Sequence, residues 1–222
     1  MPPMNTPQII PIFPLPMVLF PTEQLPLHIF EPKYNDMIHH CLTTQSPFGM
    51  VLTYNNGITQ TGCSAIIVRK IKEYEDGKRD ILVRGQERFQ INKIQQEFAY
   101  FTADVTWLVD KEATIPQSLK LRFLALYTKW MEALHQKQHL LLNPEEDRLS
   151  FVVGRNLPLK PEQKQILLQI GSEVERLSFL SDYLTKYIPE ASEMAETKRL
   201  IQSDGHFENI FPDLDHNQDN LD

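Results

Sequence analysis

Proline placement constrains this chain more than any other feature. Ten of the 16 prolines lie at or before Pro47, and none falls between Pro47 and Pro116. Proline locks φ, carries no N–H donor, and interrupts both helix interiors and sheet ladders. The first 30 residues therefore predict short extended pieces joined by fixed bends. Residues 9–13 and 17–20 read as strands. Residues 25–30 read as a third, with Pro26 pointing to a sheet edge or a strand start. Leu19, Phe20, Leu27 and Phe30 are expected in the core. Glu31 and Pro32 then open a helix, since a missing N–H costs nothing in the first turn and a carboxylate there can cap free N–H groups. Tyr34, Met37, Ile38 and Cys41 follow at helical spacing, and the helix should stop near Thr44.

From residue 48 to 109 the pattern is that of strands. Residues 48–54 are apolar and run into the turn pair Asn56-Gly57. Residues 65–68 and 81–83 flank Glu75-Asp76-Gly77-Lys78, a hairpin signal. Residues 89–91 and 101–107 add further strand, with Arg88 at a bend between strands. After about residue 113 the period changes from 2 to 3.6. Leu119, Phe123, Leu126, Trp130 and Leu134 share one helical face. A second helix is expected over 144–153, closed by Gly154, and a third over 161–170, closed by Gly171. A fourth has Ser172 or Glu173 near its start and carries Val174, Leu177, Leu180, Leu184 and Ile188 on one stripe. Pro189 should end it or open a further short helix. The class is α+β: a compact barrel-like β domain over residues 8–112, a helical bundle over 113–202, and a solvated tail over 203–222. That tail has six acidic residues and no Lys or Arg, and its Ile210-Phe211 pair is a candidate docking spot.

A net charge of −7 and a pI near 5.5 argue against nucleic-acid and membrane-surface partners. Cys41 and Cys63 form no CxxC pair, which suits buried thiols in a reducing compartment. No Lys or Arg precedes Lys33, so a secretory leader is not expected, and no apolar run approaches the roughly 20 residues that span a bilayer. The reading is a cytoplasmic protein.

Catalytic patterns are missing. The sequence holds neither GxxxxGK[ST] nor GxSxG. His135 and His139 are spaced to share a helix face, but Gln136 stands where a zinc peptidase would need Glu, and no third ligand is evident. His39, His40 and Cys41 are adjacent, and adjacent helical residues point about 100° apart. No metal, no cofactor and no enzymatic activity are expected. Glu31 and Arg88 read as structural ion-pair formers that tie segments together.

Longer motifs carry a resemblance. Ile12-Phe13-Pro14-Leu15-Pro16, Leu19-Phe20-Pro21 and the run Leu25-Pro26-Leu27-His28-Ile29-Phe30-Glu31-Pro32-Lys33-Tyr34 resemble the N-terminal substrate-binding domain of Lon proteases. Phe48-Gly49-Met50-Val51-Leu52, the turn-like Thr61-Gly62-Cys63-Ser64-Ala65 and Val83-Arg84-Gly85-Gln86-Glu87-Arg88-Phe89 follow in the same order. Lys164-Gln165-Ile166-Leu167-Leu168 and Glu175-Arg176-Leu177 agree more loosely. The similarity spans about residues 8 to 190. It implies a PUA-like β-barrel followed by a helical bundle, in a stand-alone form without ATPase and peptidase parts. It also implies a non-catalytic module for unfolded or exposed apolar polypeptide, acting in protein quality control with a protease or chaperone as partner. Pro14, Phe20, Pro21, Pro26, Phe30, Glu31, Pro32, Gly49, Gly62, Gly85, Arg88 and Phe89 read as fold-makers. Tyr34, Met37, Phe48 and Tyr54, at the rim between barrel and bundle, are the candidate contact residues. The alternative is RNA binding, since PUA-like barrels also serve that role. It would need a basic, aromatic-interleaved patch. Arg69, Lys70, Lys72, Lys78 and Arg79 are the basic clusters, but Glu73, Glu75 and Asp76 interrupt them. The negative net charge favours polypeptides that carry Lys or Arg.

Overall fold

The computed structural model describes residues 8–54, 57–96, 98–111, 114–134 and 148–204, with side chains up to residue 188. They form six strands: β1 (Gln8–Leu15), β2 (Gln24–Ile29), β3 (Phe48–Tyr54), β4 (Gly57–Glu73), β5 (Arg79–Gln95) and β6 (Phe101–Trp107). Five helices accompany them: α1 (Pro32–Thr44), α2 (Gln117–Ala133), α3 (Leu149–Gly154), α4 (Pro161–Gln169) and α5 (Glu173–Asp204). The α+β class holds. Among the described residues no helix is long and apolar enough to cross a membrane. His135, His139, Asn56, the start of the helix expected from residue 144, and the acidic segment beyond 204 lie outside the described residues.

One mixed sheet has the order β2-β5-β4-β3-β1-β6, and β6 pairs again with β5. The second pairing rolls β5, β4, β3, β1 and β6 into an uneven ring and leaves β2 as a branch on β5. β1 and β3 are parallel; the other pairs are antiparallel. The register explains how β1 tolerates Pro11 and Pro14. It lies against β6 from Gln8 to Ile12 and against β3 from Ile12 to Leu15. Each proline thus has one side of the strand with no ladder to interrupt. Pro26 sits in β2, at the end of the sheet, as its chemistry requires.

Residues 17–20 do not form the expected strand. Phe20 instead enters a turn whose next residues, Thr22 and Glu23, lie against β5. The Phe20 N–H donates to Glu23 Oε2 at 2.9 Å. The Thr22 N–H donates to the Gly85 carbonyl at 3.0 Å, and the Gly85 N–H donates to the Glu23 carbonyl at 2.9 Å. A Cβ on Gly85 would overlap the Phe20 carbonyl oxygen, so this approach needs glycine.

β5 is also a correction, because one continuous strand replaces two pieces joined at Arg88. On one side it follows β4. On the other, Arg79 to Arg84 pair with β2, and Phe89 to Gln95 pair with β6. Register shifts between Cys63/Ala65, Ile67/Arg69 and Lys70/Lys72 mark bulges, which add the twist a rolled sheet needs. Residues 61–65, expected as a turn, belong to β4.

Two cores result. Inside the ring, Ile10, Ile12, Val51, Phe89, Ile91, Ala103 and Val105 pack together, with the Phe89 ring filling the space that side chains on Gly49 and Gly62 would occupy. The larger core joins Phe20, Phe48 and Met50 to Phe123, Phe151, Leu167 and Leu180. Sheet and helices therefore share it, across the change of period near residue 113.

The helices differ from expectation in detail. α1 stops at Thr44, with Gln45 left-handed at φ 53°. Gly154 is the last residue of α3 and not a cap beyond it; a Cβ there would collide with the Leu167 side chain. Ile170 follows α4 in an extended conformation, so the chain leaves that helix without a left-handed glycine. Pro189 neither ends nor restarts α5, which runs on to Asp204.

Candidate functional site

Three of the four candidate contact residues lie in the core. Tyr34, Met37 and Phe48 are buried, and the Phe13 ring packs on Tyr34 at 4.4 Å between centroids. They present no surface to a partner in this conformation. Tyr54, at the end of β3, is 53% exposed. Phe30, expected in the core, is 60% exposed. The period of 2 along β2 explains it: Leu27 and Ile29 point inward, so Pro26, His28 and Phe30 point outward.

Glu31 occupies the N-cap position of α1 but makes no side-chain cap bond. Its carboxylate pairs with Lys33 at 3.1 Å on the surface. Pro32 takes the first helical turn, and Pro21 is buried beside Phe20.

The densest polar arrangement joins the sheet to the helices. Arg88 is 3% exposed. Its Nη1 donates to the carbonyl oxygens of Leu168 at 2.7 Å and Ile170 at 2.9 Å, and its Nη2 pairs with Asp110. Arg176, 0% exposed, pairs with Asp110 and with Glu173. Glu173 in turn accepts from the Ser150 N–H at 2.7 Å and the Ser150 hydroxyl at 2.6 Å. The Phe151 ring lies 4.4 Å from the Arg176 guanidinium carbon and stacks on Phe20. At the edge, Arg148 holds Glu87 at 2.8 Å, and Gln165 Nε2 donates to the Thr61 carbonyl at 3.0 Å. Burial opposes charge at both central arginines. It prevails at Arg88, whose pKa falls, whereas at Arg176 the paired Asp110 and Glu173 outweigh it and the pKa rises. Both remain cations, because a guanidinium starts far above neutrality. Asp110 is also partly desolvated, but the Arg176 hydrogen bond and the charges of Arg176 and Arg88 hold its carboxyl below the ordinary range. Each guanidinium nitrogen of Arg176 and both terminal nitrogens of Arg88 donate to protein acceptors, so the arrangement is a clamp. The sequence placed Arg88 among fold-makers and noted Arg176 within a motif. Glu173 was marked only as a helix start, and Asp110 carried no signal, since nothing local distinguishes it from a surface acid.

Nucleophilic chemistry has little support. Both thiols are buried; burial pushes Cys41 up to about 11 and Cys63 higher still. Among the described residues no group of three His, Cys, Asp or Glu side chains is arranged to hold a metal ion.

A second polar cluster lies in the open. On the outer face of β2 and β5, His28 Nδ1 is 2.6 Å from Asp80 Oδ1, and the Tyr74 hydroxyl donates to Asp80 Oδ2 at 2.7 Å. Phe30 stacks beside His28, with ring centroids 6.1 Å apart. The result is an exposed aromatic platform on a rigid sheet.

Residues 9–186 match the family described as the ATP-dependent protease La (LON) substrate-binding domain. The chain belongs to that family. Among relatives of this Lon-type domain, the Lon protease of Parabacteroides distasonis is 29% identical over 218 residues, covering 89% of this chain and 26% of that protein. The Lon protease of Dictyoglomus thermophilum is 26% identical over 215 residues, covering 90% of this chain and 26% of its own length. The Lon-type chain thus spans about a quarter of the length of these curated relatives. Two solved structures share its fold. The Lon N-terminal domain protein of Xanthomonas campestris has a TM-score of 0.64 at 24% identity, covering 78% of this chain and 96% of that one. The N-terminal domain of the Mycobacterium avium complex Lon protease has a TM-score of 0.64 at 19% identity, covering 80% and 98%.

Proposed function

We propose that this chain is a non-catalytic polypeptide-binding module that captures exposed apolar segments of unfolded proteins and serves as an adaptor in protein quality control. The observation that carries the reading is the match of residues 9–186 to a substrate-binding domain. In this reading the rolled sheet is a PUA-like barrel and the helices are its supporting bundle. The clamp of Arg88, Asp110 and Arg176 keeps the two rigid while a partner binds outside. A protease or chaperone is the partner class such an adaptor would serve.

Binding of fluorescein-labelled, reduced and carboxymethylated α-lactalbumin tests it, with native α-lactalbumin as the folded control. A single shallow surface should give micromolar affinity for the unfolded form, about −8 kcal/mol, and none for the native form. Equal binding of both forms, or of neither, would overturn the reading. Purified chain should turn over neither casein nor ATP. Turnover abolished by a point substitution in this chain would show an enzyme instead.

A further inference from the structure

The register sorts the charges of the outer hairpin onto two faces. On the solvent side, His28, Asp80 and Lys72 form one row across β2, β5 and β4. The rows beside it are Pro26, Leu82 and Arg69, then Gln24, Arg84 and Ile66. The alternate positions Leu27, Ile29, Ile81 and Val83 are buried in the larger core with Met37 and Ile38 of α1. Arg79, on that same side, donates to the Asn35 carbonyl at 3.4 Å.

Most cations of this region already hold a carboxylate. Lys33 has Glu31 at 3.1 Å, Lys78 has Asp76 at 2.7 Å, Arg79 has Glu73 at 3.0 Å, and Lys70 has Glu73 at 3.9 Å. Arg69, Lys72 and Arg84 differ. All three are exposed, and none has a carboxylate within ion-pair distance among the described residues. The acid on their face, Asp80, is taken by His28 and Tyr74. Glu75 stays at the hairpin tip, beyond the last paired row. The interruption of basic residues by acids along the sequence therefore disappears in space. The face presents Arg69 and Arg84, Lys72 with its ammonium 4.3 Å from the centre of the Tyr74 ring, and the exposed Phe30 ring.

We propose that the solvent face of β2, β5 and β4 docks an extended polypeptide segment that carries carboxylates and aromatic or large aliphatic side chains on one face, at every second residue in turn. The proposal rests on the polypeptide-binding reading above and specifies its partner. An extended chain repeats its side chains every two residues, about 6.8 Å, which is also the spacing between rows on the sheet. Side chains at that repeat share one face of the segment, so carboxylates and apolar side chains taking turns at every second residue meet Arg69 and Arg84 together with Phe30, Leu82 and Ile66. The net charge of −7 favours basic segments at long range, but within a Debye length of about 8 Å the local cations prevail. A nucleic-acid strand fits less well. Three cations neutralise few phosphates, and the rest of the chain repels them.

Fluorescence anisotropy at low and high salt tests this with three labelled probes: a 12-residue peptide with Asp and Phe in turn at every second position and Ser between them, its Lys and Phe counterpart, and oligouridine. Wild-type chain should bind the Asp peptide about tenfold tighter than the Lys peptide at low salt, with the ratio shrinking as salt rises. The triple variant Arg69→Gln, Lys72→Gln, Arg84→Gln should bring the ratio near one while leaving the melting temperature unchanged. Phe30→Ala should weaken both peptides. Preference for the Lys peptide, or tighter binding of oligouridine than of either peptide, overturns the proposal. If the triple variant keeps the acidic preference, this face is wrong and the polypeptide reading stands. If wild-type chain binds neither peptide nor unfolded α-lactalbumin, both fall.

Discussion

Arg88 Nη1 donates to the Leu168 carbonyl oxygen at 2.7 Å, joining positions 80 residues apart. One side chain on β5 thus closes the exposed carbonyl end of α4 and fixes the helical layer on the sheet. Removing one partner of a buried ion pair leaves the other uncompensated. Arg88→Ala and Arg176→Ala should each destabilise the fold by about 3–5 kcal/mol in urea unfolding. Arg88→Lys should recover only part of this, since an ammonium cannot reproduce the fork. Because the larger core is shared, intrinsic fluorescence and far-UV circular dichroism should report one coincident transition. Arg88→Ala with unchanged stability would remove the clamp from the account.

Asp110 gives that clamp a pH dependence. Its carboxyl is depressed in the folded state, where the arginines outweigh burial. A depressed carboxylate contributes stability that is fully present above its unfolded pKa, about 3.9, and is lost as pH falls through the folded value. Stability should therefore decline below about pH 4 to 5. Asp110→Asn should flatten that decline while lowering stability at neutral pH. Equal acid slopes for wild type and variant would exclude Asp110 as the source.

Two glycines offer an internal control. Gly85→Ala would drive a methyl group into the Phe20 carbonyl, a backbone atom that cannot swing aside. A loss of about 2 kcal/mol or more is expected in chemical denaturation. Gly171 has nothing within 4 Å of its would-be Cβ. Gly171→Ala should stay within about 0.5 kcal/mol of wild type. Similar effects at both sites would contradict the turn-on-strand contact.

Phe20 and Phe30 are ten residues apart in one motif, and structure gives them opposite duties. Phe20 is fully buried and stacks on Phe151 at 5.3 Å, whereas Phe30 faces solvent. Thermal and urea denaturation should show Phe20→Ala losing about 3–5 kcal/mol and Phe30→Ala about 0.5 kcal/mol or less. A large loss at Phe30 would return it to the core.

Local chemistry was enough for much of this molecule. The prolines dictated extended pieces before residue 30, Pro32 the start of α1, Asp76-Gly77 the hairpin between β4 and β5, and the change of period the passage from strands to helices. These rest on φ restriction, missing donors and side-chain repeat, all of which act within a few residues. Long-range contact decided the rest. Residues 17–20 had strand-like composition, yet Phe20 bonds to Glu23, and the turn that follows pairs with Gly85 through Thr22 and Glu23. Tyr34, Met37 and Phe48 could not be told from surface contacts until the sheet and α1 closed over them. Asp110 and Glu173 became partners of buried arginines only when β5, α4 and α5 met. The basic residues of the hairpin read as neutralised along the chain, because sequence order interleaves them with acids. Pairing in the sheet sends alternate residues to opposite faces, and that geometry, which no local window contains, sets Glu73 with Arg79 and leaves Asp80, beside Lys72, to His28 and Tyr74.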